Sequence, residues 1–576
     1  MATTADKIIS LDSKPSTAEG RLRVLHAVIG AISIGLVFCW LQFSTPSICC
    51  GDFDGYYHIK WSQLLWNGLR SGHFSPRFIW LPLTSLNASH YADQHFLYHL
   101  LLVPFTWFGD LRLAAKVATT LFGSISIFSL YWLILRYRIR YALLWLMALL
   151  GCSWLFYLRL NMTKAQSISI LFMVAGIVLL FERKYVWLAP AAFLYVWTYN
   201  LFVMLGVLAI IWVAVLWWSE RRIEWRALSW TGLGMLAGFI VNPYFPHDVS
   251  LFLAHVAAKS AQSSMPAGVG DEWYAMPSGQ FLDASLIASI SMVVGYIAFG
   301  YVLSSSHEDR TRVQRPLAFL LFSSFLFVIA VRSNRFMEYW PPFAVLFAAF
   351  ALHAVWHNPP WVRSSPQAGT DLPVPADVDE AGKSEHSWTA AYIIPIVVLL
   401  GATLFYNLHT TRAKIVENTR GPDHYRAGTE WMLANIPPGT LIYEVNWSDF
   451  PKLFFYDTIH TYVSGLDPIY LEAQHPEVVR LNERLSDGEE EHPADALRSF
   501  FATINQARAG YLFIGDYPAP PSGEWFRYLK KSGGFEKVYG DNECLILHVV
   551  DSALSTGAAA NPGGMTDVPV SRAGEK

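Results

Sequence analysis

Apolar runs of roughly membrane-spanning length recur through about the first seventy per cent of this 576-residue chain, and they constrain its fold more than any other feature. The first covers residues 24–43, and later ones begin near Leu113, Tyr141, Ser167, Val186, Leu201, Leu228, Ala284, Pro316, Trp340 and Thr389. This pattern predicts a polytopic α-helical membrane protein with about 11 to 13 transmembrane helices. Composition agrees: 53% of residues are hydrophobic and only 15% charged, which excludes an ordinary cytosolic enzyme. The net charge of −3 gives no footprint for nucleic acid. Five scattered cysteines without a Cys-x-x-Cys pair give neither a disulfide framework nor a thiolate zinc site.

The first run follows Arg21 and Arg23, is long for a signal-peptide core and lacks a clear cleavage site, so it reads as a retained span with residues 1–23 cytoplasmic. Arg136, Arg138 and Arg140, then Arg183 and Lys184, then Arg221, Arg222 and Arg226, then Arg310, Arg312 and Arg315 all fall on the predicted inner side. The transmembrane domain is predicted over 24–406, with outer loops at about 44–110 and 247–283 and a flexible, Pro-rich inner loop at 357–388. Residues 186–218 read either as a tight pair turning at Tyr199 and Asn200 or as one long tilted helix, and 96–108 as an interfacial helix too short to span. Residues 407–551 read as an extracytoplasmic α/β domain, with a helix around 428–435 and strands at TLIYEV, YLFIGDY and ECLILHVV, followed by a disordered tail at 552–576.

Chemistry is sought in the outer loops, which are rich in aromatic, His and acidic residues. The first opens GDFDGYYHIKWSQLL, placing Asp52 and Asp54 at the outer surface. Such carboxylates either simply end a span or orient a nucleophile and ligate a hard cation. In HYADQHFLYH, Asp93, His95 and His99 fall at a spacing that suits one helical face, and with His58 they either supply nitrogen and oxygen ligands for a metal or simply hydrogen-bond water and carbonyls at the interface. The second loop carries GVGDEWYAMPSG, where Asp271 and Glu272 form either a solvated turn or a segment that closes on a substrate. In VRSNRFMEYWPP, Arg332 and Arg335 stand near membrane depth, where they either pair with Glu338 or clamp a lipid phosphate.

These pieces occur in an order that resembles the catalytic subunit of oligosaccharyltransferase and its single-chain bacterial and archaeal relatives, GT-C membrane glycosyltransferases. Asp54-Gly55-Tyr56-Tyr57 resembles the family's first-loop element, Val269-Gly270-Asp271-Glu272 its later Val-x-x-Glu-like element, and Arg335-Phe336 its donor-side Arg-Phe. Glu430-Trp431, then TLIYEV, then Trp447-Ser448-Asp449-Phe450-Pro451 resemble the opening of its soluble domain. The resemblance implies a GT-C-like fold and inverting transfer of a sugar or glycan from a polyprenyl-phosphate or polyprenyl-pyrophosphate donor to a protein or glycan acceptor. The site would lie on the outer face of the membrane, among membrane lipids, and the short, lean loops point to a bacterial inner membrane. It implies Asp54 at the reaction centre, Arg335 on the donor phosphate and Glu272, with Asp271 and the segment carrying Trp447 and Asp449, on the acceptor side; Asp52 beside Asp54, and Arg332 and Lys164 on the phosphate, are added as candidates from their own chemistry.

The sequence departs from the family in two places. Ser448 and Pro451 replace a Trp and a Gly of the acceptor-reading motif, and the acidic pair expected after Arg159 is replaced by Lys164 and Gln166. An acidic metal site of the family type does not form from these. Either Lys164 supplies the positive charge directly, or a divalent ion, magnesium or manganese ahead of zinc, uses Asp54, Asp93, His95 and His58. The rival functions are a monosaccharide transferase acting on a glycolipid or cell-envelope polymer, an inactive glycan-binding relative, and a flippase of lipid-linked glycans.

Overall fold

The computed structural model describes residues 17–50, 53–73, 76–260, 270–305, 310–356, 378–505, 510–519 and 521–550. These divide into two compact units, one containing the chain through Phe78 together with Ser85–His424, the other Ile79–Thr84 together with the chain from Tyr425. The tail at 552–576 and Asp52 lie outside the described residues.

Apolar side chains at helical spacing build the first unit from α1 (Thr17–Gln42), α2 (Asp54–Arg70), α3 (Phe96–Thr106), α4 (Leu111–Arg136), α5 (Ala142–Leu150), α6 (Trp154–Leu160), α7 (Gln166–Phe181), α8 (Leu188–Thr198) and α9 (Val203–Glu220). It continues with α10 (Trp225–Ile240), α11 (His247–Ser260), α12 (Ser278–Ala284), α13 (Leu286–Ser305), α14 (Gln314–Arg332), α15 (Trp340–Trp356) and α16 (Val378–Asn418). Among the described residues six helices are long and apolar enough to cross a membrane, with a seventh span if α5 and α6, bent by 76° at their junction, are taken together. The sequence expectation of 11 to 13 exceeds this number because α3, α7, α8 and α15 are apolar but fall short of the roughly 20 residues a perpendicular crossing needs.

Local chemistry sets the breaks. Asp110 caps α4, its Oδ1 accepting from Arg112 N at 2.9 Å, and Ser153 Oγ accepts from Phe156 N at 3.1 Å to start α6 after the bend. The stretch 186–218 resolves as a pair, since extended Tyr199 separates α8 from α9. The short helix α3 packs against α2 and α4, with Tyr98, His99 and Leu102 buried. Helix α16 begins at Val378, inside the stretch read as an inner loop, and runs through 407 to Asn418; residues 357–377 lie outside the described set.

The second unit is a five-stranded sheet of order β2-β1-β3-β5-β4, from β1 (Leu441–Glu444), β2 (Thr461–Tyr462), β3 (Gly510–Gly515), β4 (Phe535–Gly540) and β5 (Cys544–Val549). β1 runs parallel to β2 and β3, and β5 runs antiparallel to β3 and β4. Helices Pro476–Asp487, Pro493–Asn505 and Ser522–Ser532 supply Leu485, Phe501 and Leu529 to its core. The segment Ile79–Thr84, from the link between α2 and α3, joins this unit: Tyr462 N donates to Trp80 O, and Trp80 Nε1 to Thr458 O, both at 2.8 Å.

Candidate functional site

The site begins at the start of α2. Asp54 occupies its first turn, where the helix dipole favours a carboxylate. The following Gly55 permits a close approach: a Cβ there would lie 2.8 Å from Ile48 Cγ2 and 3.1 Å from Thr163 Cβ. Thr163 belongs to the irregular link between α6 and α7, which is fixed from three sides. Gln42 Nε2 donates to Asn161 Oδ1 at 2.9 Å, the Thr119 and Thr163 hydroxyls lie 2.8 Å apart, and Gln166 Nε2 donates to Arg159 O at 2.9 Å. This link carries Lys164, whose Nζ stands 2.9 Å from Asp54 Oδ2. Both side chains retain some solvent exposure, 16% for Lys164 and 25% for Asp54.

A second cluster gathers around the loop ahead of α12 and the turn between α14 and α15. Arg159 Nη2 donates to Glu272 Oε2 at 3.0 Å and to Glu338 Oε2 at 3.3 Å. Arg335 donates to Glu272 Oε1 and, at 2.7 Å, to the Tyr199 hydroxyl, which in turn donates to Glu338 Oε1 at 3.1 Å. The Arg335 guanidinium also lies 4.7 Å from the centre of the Trp273 ring. Burial opposes ionisation of Glu272, but Arg335 and Arg159 hold its carboxyl well below the usual carboxylate range. Two guanidiniums thus balance two carboxylates. Arg335 and Glu272, expected on the donor and acceptor sides respectively, are each other's ion partners, and Glu338 is wholly buried between Arg159 and Tyr199. Arg332, the last residue of α14, is exposed, while Asp271 opens the single 3-10 turn that carries Glu272.

The four proposed metal ligands do not fit a divalent ion. Asp54 faces an ammonium, and each of the other three engages a ligating atom with His99 or with the backbone. His58 Nδ1 meets His99 Nε2 at 2.8 Å, Asp93 Oδ2 takes His99 Nδ1 at 2.7 Å, and His95 Nδ1 approaches Thr198 O at 3.2 Å. No group of three or more His, Cys, Asp or Glu side chains converges on a metal position among the described residues. Asp54, Asp93, His95 and His58, expected as ligands of a divalent ion, thus do not converge on one position, and at least one ligating atom of each is engaged by a hydrogen bond or ion pair.

Trp447 and Asp449 belong to the second unit, in the turn after β1. Asp449 is buried and accepts from the Tyr425 hydroxyl at 2.9 Å, so its carboxylate serves the packing of that unit. Sequence reasoning did not select Arg159 or Tyr199. Arg159 stands alone in the apolar stretch WLFYLRL, the same signal that marked Arg332 and Arg335.

No family model matches the sequence, and no curated protein does. Solved structures do. The archaeal oligosaccharyltransferase AglB from Archaeoglobus fulgidus, in complex with an inhibitory peptide and a dolichol-phosphate, matches with a TM-score of 0.56 at 13% identity, over 86% of this chain and 70% of that one. ArnT from Cupriavidus metallidurans, bound to undecaprenyl phosphate, matches with a TM-score of 0.51 at 14% identity, over 91% of this chain and 98% of that one. The fold is that of the GT-C membrane glycosyltransferases. A second Archaeoglobus fulgidus oligosaccharyltransferase structure, tethered to an acceptor peptide containing an NVT sequon, agrees, with a TM-score of 0.54 at 12% identity over 85% of this chain and 69% of that one. At such identities the likeness is one of fold, and the chemistry has to be argued from the residues.

Proposed function

We propose that this chain is a membrane glycosyltransferase that takes a sugar or glycan from a polyprenyl-phosphate or polyprenyl-pyrophosphate donor and transfers it, with inversion, to an acceptor on the outer face of the membrane. The observation that carries this reading is the Asp54–Lys164 pair at 2.9 Å, set at the start of α2 in a GT-C fold. A carboxylate and an ammonium in contact and partly open to solvent are the two charges the reaction asks for. Lys164 neutralises the phosphate as the bond to the anomeric carbon breaks, and Asp54, released from its partner, orients the incoming nucleophile. The Arg159–Glu272–Arg335–Glu338 network forms a pre-organised wall beside them, in which Trp273 stays partly exposed next to Arg335. Two of the similar folds were solved with a dolichol-phosphate and with undecaprenyl phosphate, which supports the donor class.

In this reading the shorter apolar helices complete about eleven crossings, residue 17 lies on the cytoplasmic side, and the second unit lies on the periplasmic side of a bacterial inner membrane. The test is reconstitution in proteoliposomes with a pool of labelled polyprenyl-linked sugars, comparing wild type with Lys164→Gln. The expected result is transfer by wild type, a product whose label identifies the acceptor, and a loss of about 100-fold or more for the variant. Equal transfer by the two proteins removes Lys164 from the mechanism.

A further inference from the structure

Beside Asp54 lies a row of buried side chains to which the reading above gives no task. Asp93, only 3% exposed, accepts hydrogen bonds from Trp61 Nε1 at 2.9 Å, from His95 N at 2.9 Å and from His99 Nδ1 at 2.7 Å. An ionised carboxylate only accepts, so the hydrogen between Asp93 and His99 sits on Nδ1 of the imidazole. In neutral His99 the other nitrogen, Nε2, is then a lone pair, and it stands 2.8 Å from His58 Nδ1. His58 Nδ1 therefore donates, which leaves a lone pair on His58 Nε2. That atom has no hydrogen-bond partner among the described residues, although His58 is 4% exposed. His58 follows Asp54 by four residues on α2, so the two share a helical face.

We propose that His58 Nε2 takes the proton from the acceptor, with Asp93 and His99 fixing its tautomer, and that the acceptor is a hydroxyl of a sugar, polyol or glycolipid. The inference rests on the glycosyl-transfer reading. A hydroxyl oxygen keeps a free lone pair for attack and has only to lose its proton, a task within reach of one imidazole. A carboxamide nitrogen has its lone pair delocalised into the carbonyl, and one imidazole does not undo that. In the step, the acceptor oxygen bonds to the anomeric carbon, and the bond from that carbon to the phosphate oxygen breaks. Its electron pair leaves with the polyprenyl phosphate beside Lys164, and the hydroxyl proton moves to His58 Nε2. Transfer of the His58 Nδ1 hydrogen to His99 Nε2 then places the positive charge next to the Asp93 carboxylate, the arrangement that makes an Asp-oriented imidazole an effective base.

The surroundings are consistent with a neutral base at rest. Burial, with His99, His95 and Lys164 facing it, pushes the His58 imidazole well below its ordinary range. Tyr57 and Tyr98 pack against its ring.

The test uses the full chain in proteoliposomes with the labelled polyprenyl-linked sugar pool, and measures undecaprenyl phosphate binding separately. His58→Gln and Asp93→Asn are expected to bind undecaprenyl phosphate as wild type does and to lose about 100- to 10,000-fold in turnover. Asp93→Asn, which removes the negative charge beside His99, is expected to shift the acid limb of the wild-type pH–rate profile to lower pH. The product should carry its label on a hydroxyl oxygen. Turnover unchanged in both variants overturns the proposal, as does a loss that follows only a lowered melting temperature with an intact pH profile, or label recovered on a peptide amide. Wild type that binds undecaprenyl phosphate and moves no sugar overturns the glycosyl-transfer reading itself, and this proposal with it.

Discussion

At the scale of single residues, pairing decides what each charge can do. Asp54 and Lys164 are individually visible in the sequence, one after a span and the other where an acidic residue was expected. Their contact is not, because it depends on Gly55 letting the start of α2 settle against Thr163, a neighbour far along the chain. Gly55→Val is expected to force these elements apart and lower turnover about tenfold or more while the protein stays folded, read as kcat per folded molecule in detergent. The same dependence explains the changed status of Arg335. A motif suggests a phosphate clamp, whereas the fold delivers Glu272 and Tyr199 to its guanidinium. Because Glu338 is wholly buried between Arg159 and Tyr199, Glu338→Ala leaves two guanidiniums sharing the one carboxylate of Glu272 and should destabilise the first unit by about 3–5 kcal/mol. A thermal melt in detergent checks this: a melting temperature equal to wild type would show that solvent reaches Arg159.

Secondary-structure elements were legible where their apolar pattern is long, and obscure where tertiary packing shortens or bends them. α1, α4 and α14 follow the hydropathy directly, but the bend between α5 and α6 rests on the Ser153 cap, a single side chain. The pairing of α8 with α10 had a readable sign that went unused: Gly234 and Gly238, spaced four apart on α10. A Cβ at Gly234 would lie 2.2 Å from the Ala189 carbonyl oxygen, and one at Gly238 would lie 2.9 Å from Val196 Cβ, so the two backbones touch through these glycines. Gly234→Leu should therefore separate the helices at a cost of about 1–3 kcal/mol, or more because the obstacle is backbone, and show as a lowered melting temperature. In the sheet, the three strands read from sequence, β1, β3 and β5, are its buried centre. The two that were missed are its edges: β2 has only two residues, and β4 carries Glu536 and Lys537.

At the scale of the whole molecule, the compact units part at Tyr425, and α16 continues unbroken past 407 to Asn418. Residues 79–84 leave the link between α2 and α3 to join the second unit, a long-range exchange with no local signature in sequence. That unit carries its own pH dependence. His460 is buried with Asp457, Nδ1 to Oδ2 at 2.6 Å; burial lowers its pKa, but the hydrogen bond and charge of Asp457 outweigh this and raise it above the ordinary 6.5. A raised folded-state pKa contributes stability that is complete below about pH 6.5 and is lost as pH rises through the folded value. Melting of the second unit in the full chain should fall between pH 6 and 9, and His460→Asn should flatten that slope; a slope unchanged by the substitution would assign it to another group.

The central claim, that the Asp54–Lys164 pair is the centre of an outer-face glycosyl transfer, is tested most directly by single-turnover loss of label from polyprenyl-linked sugars in proteoliposomes, wild type against Asp54→Asn. The account predicts that both proteins bind the lipid donor and that only wild type empties it, with the variant slowed about 100- to 10,000-fold. Equal rates in the two proteins would contradict it.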